Sequence, residues 1–112
     1  DTVLVDINWT KEALLNIIKN ACEHTKDKIT ITSKNNPLYL EIRITDNGKG
    51  IAKKDLKHIF ERFYKGSDNK DSIGIGLNMS KKIINLQQGI IEVETKENIG
   101  STFIIKLYKN NL

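Results

Sequence analysis

Residues 37–44, PLYLEIRI, alternate apolar and polar side chains with period two, the pattern of a strand with one buried face. The run continues into ITDNGKGIA, residues 44–52, where Asn47-Gly48 is the strongest short-range hairpin signal, so a second strand should follow. It does not. In IAKKDLKHIFERF, residues 51–63, Ile51, Leu56, Ile59, Phe60 and Phe63 recur at helical spacing. A simple β-meander is thereby excluded. A tight glycine turn that delivers a strand into a charged helical segment needs a reason other than reversing the chain.

The rest of the chain sorts around this join. DTVLVDI, residues 1–7, reads as a strand, and Thr10 is the expected N-cap of a helix over Lys11–Thr25. The apolar face of that helix holds Ala13, Leu14, Ile17, Ile18 and Ala21. KITITSK and LYLEIRIT form an antiparallel pair, and residues 47–73 make a long polar section with one or two short helices. A connection of that length inside a compact domain is usually a lid or binding loop. A second long helix is expected from Gly74 to about Gln88, closed by Gly89 as C-cap, with Asn78, Lys81, Lys82 and Asn85 as a polar stripe. IIEVETK and STFIIKLY complete a second strand pair. Strand pairs separated by helices, without repeated βαβ units, indicate an α/β protein: a two-layer sandwich with helices on one sheet face.

Composition narrows the classes. At 112 residues the chain is one domain, and 38% hydrophobic with 29% charged residues suits a folded globular one. No apolar run approaches the ~20 residues of a membrane span, so this domain is not expected to be membrane-inserted. It starts at Asp1, as a piece of a longer protein would. The single cysteine, Cys22, has no internal partner, which fits a reducing, cytoplasmic setting. The sequons at Asn8 and Asn78 are discounted for the same reason. The net charge of +4 comes from scattered lysines without interleaved aromatics, so no nucleic acid is expected as partner.

Three features do not belong to a plain core-and-surface pattern. Asn16 and Asn20 lie four apart on the first helix with His24 a turn further on, a poor choice for helix formation alone. They fit either a solvated face or neutral, hard oxygen ligands for Mg²⁺. Gly74-Ile75-Gly76 opens the second long helix, whose unpaired N–H groups and dipole favour an anion. The third is the turn itself.

Taken together, LLNIIKNACEHT, DNGKGI, IFERFYKG and GIGL resemble, in order and spacing, the ATP-binding domain of sensor histidine kinases. This is the Bergerat fold shared with gyrase, heat-shock chaperone and mismatch-repair ATPases, and the resemblance runs from the first strand to GSTFIIKL. It implies a mixed sheet, ATP and Mg²⁺ as cofactors, and a lid over about residues 51–73. It also answers the question of the turn. The aspartate matching Asp46 accepts a hydrogen bond from the adenine amino group, and Gly48 and Gly50 let the backbone approach the base. Thr102 matches a threonine that supports this aspartate. Asn20 would hold Mg²⁺ with Asn16 nearby, Glu23 and His24 would line the nucleotide, and Arg62 would reach the γ-phosphate with Lys65 adding charge. Ile51, Tyr64, Gly74, Ile75, Gly76 and Leu77 complete the implied nucleotide site. Phe60 and Phe63 would fasten the lid to the body. Ser72 stands where the glycine box usually begins, and Glu23 where some relatives carry a basic residue.

Hydrolysing members of the fold carry a glutamate four residues before the metal asparagine; here that position is Asn16, and Glu12 is two turns too early. The resemblance therefore implies transfer of the γ-phosphoryl to a histidine in a separate helical domain, through which the full-length kinase would form a homodimer. His24 is then a nucleotide neighbour, and His58 a surface histidine in a loop without a supporting acid. The remaining partner is a response regulator; this domain itself is expected to be monomeric, and the full-length protein anchored in the cell membrane. A serine-phosphorylating relative or a catalytically lapsed nucleotide-binding module are the alternatives.

Overall fold

The computed structural model describes residues 6–62 and 76–109. Helix α1 spans Ile7–His24, strands β1 and β2 span Ile29–Asn35 and Tyr39–Asp46, and a single turn of helix, α2, spans Lys53–Leu56. Helix α3 spans Gly76–Leu86, followed by β3 at Gly89–Lys96 and β4 at Gly100–Tyr108. The strands form one sheet in the order β1-β2-β4-β3, with every described pairing antiparallel. Both long helices pack on one face of it, giving the expected two-layer sandwich.

Period-two alternation sets the two faces. Ile42 and Ile44 of β2, Phe103, Ile105 and Leu107 of β4, and Ile91 and Val93 of β3 point to the helices. They close on Ala13, Ile17 and Ala21 of α1 and on Ile83 and Ile84 of α3. The opposite face carries Glu41, Arg43, Glu92, Glu94 and Lys106. Glu41 accepts from Arg43 Nε at 2.9 Å, Arg43 also reaches Glu94, and Lys106 pairs with Glu92 at 2.9 Å. Under the stems of these residues Ile104 is buried although it lies away from the helices.

Two local expectations are corrected. Helix α1 begins earlier than Thr10: Asp6 is the N-cap, its carboxylate accepting the Trp9 N–H at 3.0 Å, and Thr10 is a buried helical residue. Asp6 and Ile7 thus belong to the helix rather than to the expected first strand, whose residues 1–5 lie outside the described residues. The left-handed residue after α3 is Gln88, at φ 61°, and Gly89 opens β3 instead of capping the helix.

Residues 51–62 are the described part of the lid expected over about 51–73. Ile51, Ile59 and Phe60 pack against the core. The Phe60 ring meets Phe103 edge-on at 6.3 Å, its carbonyl accepts from Asn78 Nδ2 at 2.9 Å, and Lys81 Nζ lies 5.0 Å from its centroid. The polar stripe of α3 therefore faces this segment. Phe60 fastens it to the body as expected; Phe63 lies outside the described residues.

Candidate functional site

The site is built where the two helices meet the end of the sheet. Helices α1 and α3 run antiparallel, fixed by three contacts along their length. Gln87 near the end of α3 donates to Thr10 Oγ1 at 2.8 Å and accepts the Asp6 N–H; buried Ser80 donates to the Ala13 carbonyl at 2.8 Å. At the start of α3, a Cβ on Gly76 would lie 3.8 Å from Asn16 Cβ, an ordinary contact. Because the helices are antiparallel, the N-terminal end of α3 points along α1 toward Asn20 and His24. The positive end of a helix dipole thus faces the stripe of carboxamides.

Asn16 and Asn20 are half-buried, so the stripe is not the fully solvated face that one reading of the sequence allowed; Glu23 and His24 are exposed. Asn16 also lines a groove of ≈ 440 Å³ with Trp9, Glu12, Gly76 and Met79. The other end of the stripe meets the turn after β2. A Cβ on Gly48 would lie 1.8 Å from the His24 carbonyl oxygen, so only glycine lets the end of α1 seat there. Gly50 has φ 73°, and its Cβ would lie 2.4 Å from the Lys96 carbonyl oxygen. Both glycines are therefore required by the protein's own backbone, before any ligand is considered.

Asp46 ends β2 on the helix-facing side of the sheet. It is 95% buried by area, with 5% exposed, and its Oδ1 accepts the Gly48 N–H at 2.9 Å. Thr102 does not meet the expectation that it supports this carboxylate. The register sets Thr102 opposite Thr45, with the two hydroxyl oxygens 2.9 Å apart on the outer face, and sets Ser101 opposite Asp46. On the Asp46 side, Ser101 Oγ lies 2.8 Å from Thr95 Oγ1, which accepts the Ile51 N–H at 2.8 Å. Asn98, in the β3–β4 turn, donates its N–H to the Lys49 carbonyl at 2.6 Å. The turn 46–51 is thus bound to the far hairpin at both ends.

These fold and site features match one family. Residues 5–111 match the family described as histidine kinase-, DNA gyrase B-, and HSP90-like ATPase. The chain belongs to this family. It is 39% identical over 110 residues to the sensor protein SrrB of Staphylococcus aureus, covering 93% of this chain and 19% of that protein. It is 31% identical over 110 residues to the sensor histidine kinase YvrG of Bacillus subtilis, covering 94% and 19%. The catalytic domain of histidine kinase ThkA superposes with a TM-score of 0.82 at 31% identity, over 96% of this chain and 71% of that one. The chain thus spans about a fifth of the length of the curated relatives it matches.

Within this histidine kinase-like ATPase domain, the structure brings Asn16, Gly76 and Leu77 to one end of a line and His24, Gly48 and Asp46 to the other. Ile51, at the end of the turn, is half-buried against the core. Arg62 is exposed at the end of the docked segment, and Tyr64, Lys65, Gly74 and Ile75 lie outside the described residues. His58 differs from expectation: the Glu61 carboxylate lies 2.9 Å from its Nδ1. Two residues escaped the sequence reading. Ser101, not Thr102, shares a face with Asp46, which only the register reveals. Asn47, taken as turn chemistry alone, makes a network of its own with residues 25–28. No helix among the described residues is long and apolar enough to cross a membrane.

Proposed function

We propose that this chain binds Mg-ATP and passes the γ-phosphoryl group to an imidazole nitrogen of a histidine in a separate helical domain. The observation that supports this most is the line of half-buried carboxamides Asn16 and Asn20 between Gly76 and Gly48, ending at buried Asp46. From Asn16 to His24 the line is eight residues, roughly 12 Å at the rise of a helix. That length suits a nucleoside triphosphate laid along α1, with phosphates at the α3 end and the base at Asp46.

In this reading Asp46 accepts a hydrogen bond from the adenine amino group, and the Gly48 N–H holds the carboxylate's orientation. The first-turn N–H groups of α3, with Gly74 and Gly76, hold phosphate oxygens. Arg62 and Lys65 face the charge that develops on the transferred group. Ile51, Tyr64, Ile75, Leu77, Glu23 and His24 line the nucleotide. Among the described residues no cluster of three or more His, Cys, Asp or Glu could hold a metal by itself. Asn20, with its neutral carboxamide oxygen, would be the residue that holds a magnesium ion there. When bound, it supplies charge neutralisation at the phosphates.

In-line transfer needs positioning and neutralised charge more than a general base. Asn16 cannot take a proton from water, and Glu12, on the same groove, lies roughly 12 Å along the helix from Asn20. Both favour a protein acceptor over hydrolysis. Relatives named as a sensor histidine kinase and a histidine kinase support transfer to histidine. The wider proposal adds an acceptor domain that forms a homodimer, a response regulator downstream, and a membrane-anchored full-length protein with this domain in the cytoplasm.

Calorimetry with ATP and GTP in Mg²⁺ tests the base assignment. Guanine would set a carbonyl against Asp46, and an unpaired buried acceptor costs ~1–3 kcal/mol, so ATP should bind about tenfold tighter or more. Equal affinities would refute the role of Asp46.

A further inference from the structure

Asn47 has no part in the nucleotide reading, yet its carboxamide is fully engaged with the loop between α1 and β1. Its Oδ1 accepts the N–H groups of Asp27 and Lys28, each at 3.2 Å, and lies 2.9 Å from Thr25 Oγ1. Its Nδ2 donates to Asp27 Oδ1 at 2.7 Å, a charge-assisted bond. Thr25 is the C-cap of α1, its N–H donating to the Ala21 carbonyl at 2.8 Å, so the loop held by Asn47 is the continuation of that helix. On either side of Asn47 stand Asp46 and Gly48, the second seated on the last carbonyl of α1.

We propose that Asn47 is a positioning residue for nucleotide binding. It straps the end of α1, which carries Asn20 and His24, to the end of β2, which carries Asp46. It thereby sets the span between the phosphate end and the base end of the site. The inference rests on the nucleotide reading above. Its physical basis is that directional contacts at two ends of one ligand are sensitive to their separation, and a misplacement of about 1 Å can cost on the order of a hundredfold in function. The Gly48 contact limits how close α1 can come; the carboxamide limits how far it can move away.

The strap can be reversed chemically. Asn47→Asp keeps the acceptor for residues 25, 27 and 28 but turns the Nδ2 donor into a carboxylate oxygen against the Asp27 carboxylate. Adding Asp27→Asn restores the bond with donor and acceptor exchanged, since the new amide at 27 can donate to the new carboxylate at 47. Asp27→Asn alone keeps a neutral amide pair. MgADP affinity is measured by calorimetry for wild type, both single variants and the double variant, well below their melting transitions. Asn47→Asp should weaken MgADP about tenfold, and the double variant should return to within about threefold of wild type, a coupling of the kind that contacting residues show. Asp27→Asn alone should stay within about threefold. Variants that lose melting temperature but bind MgADP like wild type would overturn the inference, as would a double variant without rescue. A wild-type chain that binds no MgADP would remove the nucleotide reading and this inference with it, whereas tight wild-type binding insensitive to Asn47→Asp removes the inference alone.

Discussion

A methyl group added at Gly48 would sit 1.8 Å from a backbone oxygen, and one added at Gly76 would sit 3.8 Å from a flexible side chain. The two glycines therefore predict opposite outcomes. Gly48→Ala cannot be relieved by a rotamer change, because the His24 carbonyl belongs to the helix, and it should cost about 3 kcal/mol in urea denaturation. Gly76→Ala should leave stability unchanged or raise it by about 1 kcal/mol, since alanine is the better helix former. Yet it should weaken MgADP, because a methyl then stands where a phosphate would approach. If Gly76→Ala bound MgADP like wild type, the α3 end of the site would be misassigned. Much of the site was legible at this scale. Asn16 and Asn20 stood out as polar residues in a helical pattern that did not need them, whereas Asp46 entered through the resemblance of DNGKGI to a family motif. Ser101 did not, because a serine next to a threonine can be told apart only by which face of the sheet it takes. Asp6 was hidden by its neighbours: the apolar run before it reads as a strand, although Thr10, Ala13, Ile17 and Ala21 already share one helical face.

Elements show where tertiary packing overrode local pattern. The strands and their antiparallel pairing followed from period-two alternation, whereas the full docking of the lysine-rich segment after the turn did not. In the fold, Ile59 and Phe60 dock on the core and Asn78 ties Phe60 to α3. Phe→Ala costs about 3–5 kcal/mol in a full core, so half-buried Phe60→Ala should cost about 2 kcal/mol. The Ile51 amide, bonded to Thr95, should exchange slowly with and without nucleotide, whereas a lid beginning at residue 51 would protect it only when nucleotide is bound. The outer face of the sheet makes a separate prediction. The hydrogen bond from Arg43 holds the Glu41 carboxyl below its ordinary value near 4.5, against the opposing effect of burial. A depressed folded-state pKa contributes stability that is present above the unfolded value and lost as pH falls through the folded one. The stability gap between wild type and Glu41→Gln, read from urea midpoints, should therefore be constant near neutral pH and shrink below about pH 4.5. A gap that does not change with pH would mean the Arg43–Glu41 bond adds nothing through ionisation.

For the whole molecule, the account joins a nucleotide site to an acceptor that lies elsewhere. The chain spans about a fifth of the length of its curated relatives, and in the proposed reading the carboxamide of Asn16 offers water no base. Its two histidines are poor acceptors for different reasons. In the proposed reading His24 lies at the base end of the site, roughly 12 Å along α1 from the Asn16 end where the phosphates would lie, out of line for attack. His58 has Glu61 beside its Nδ1 but sits on the docked segment, with the ring held at the surface. The decisive measurement follows label from [γ-³²P]ATP, in Mg²⁺, into the chain alone and into the chain mixed with the helical domain of its full-length protein. The isolated chain should take up no label and should release phosphate slowly. With the helical domain added, label should appear on a histidine there, lost in acid and kept in base. Acid-stable label, or label on His24 or His58 of the isolated chain, would contradict the account.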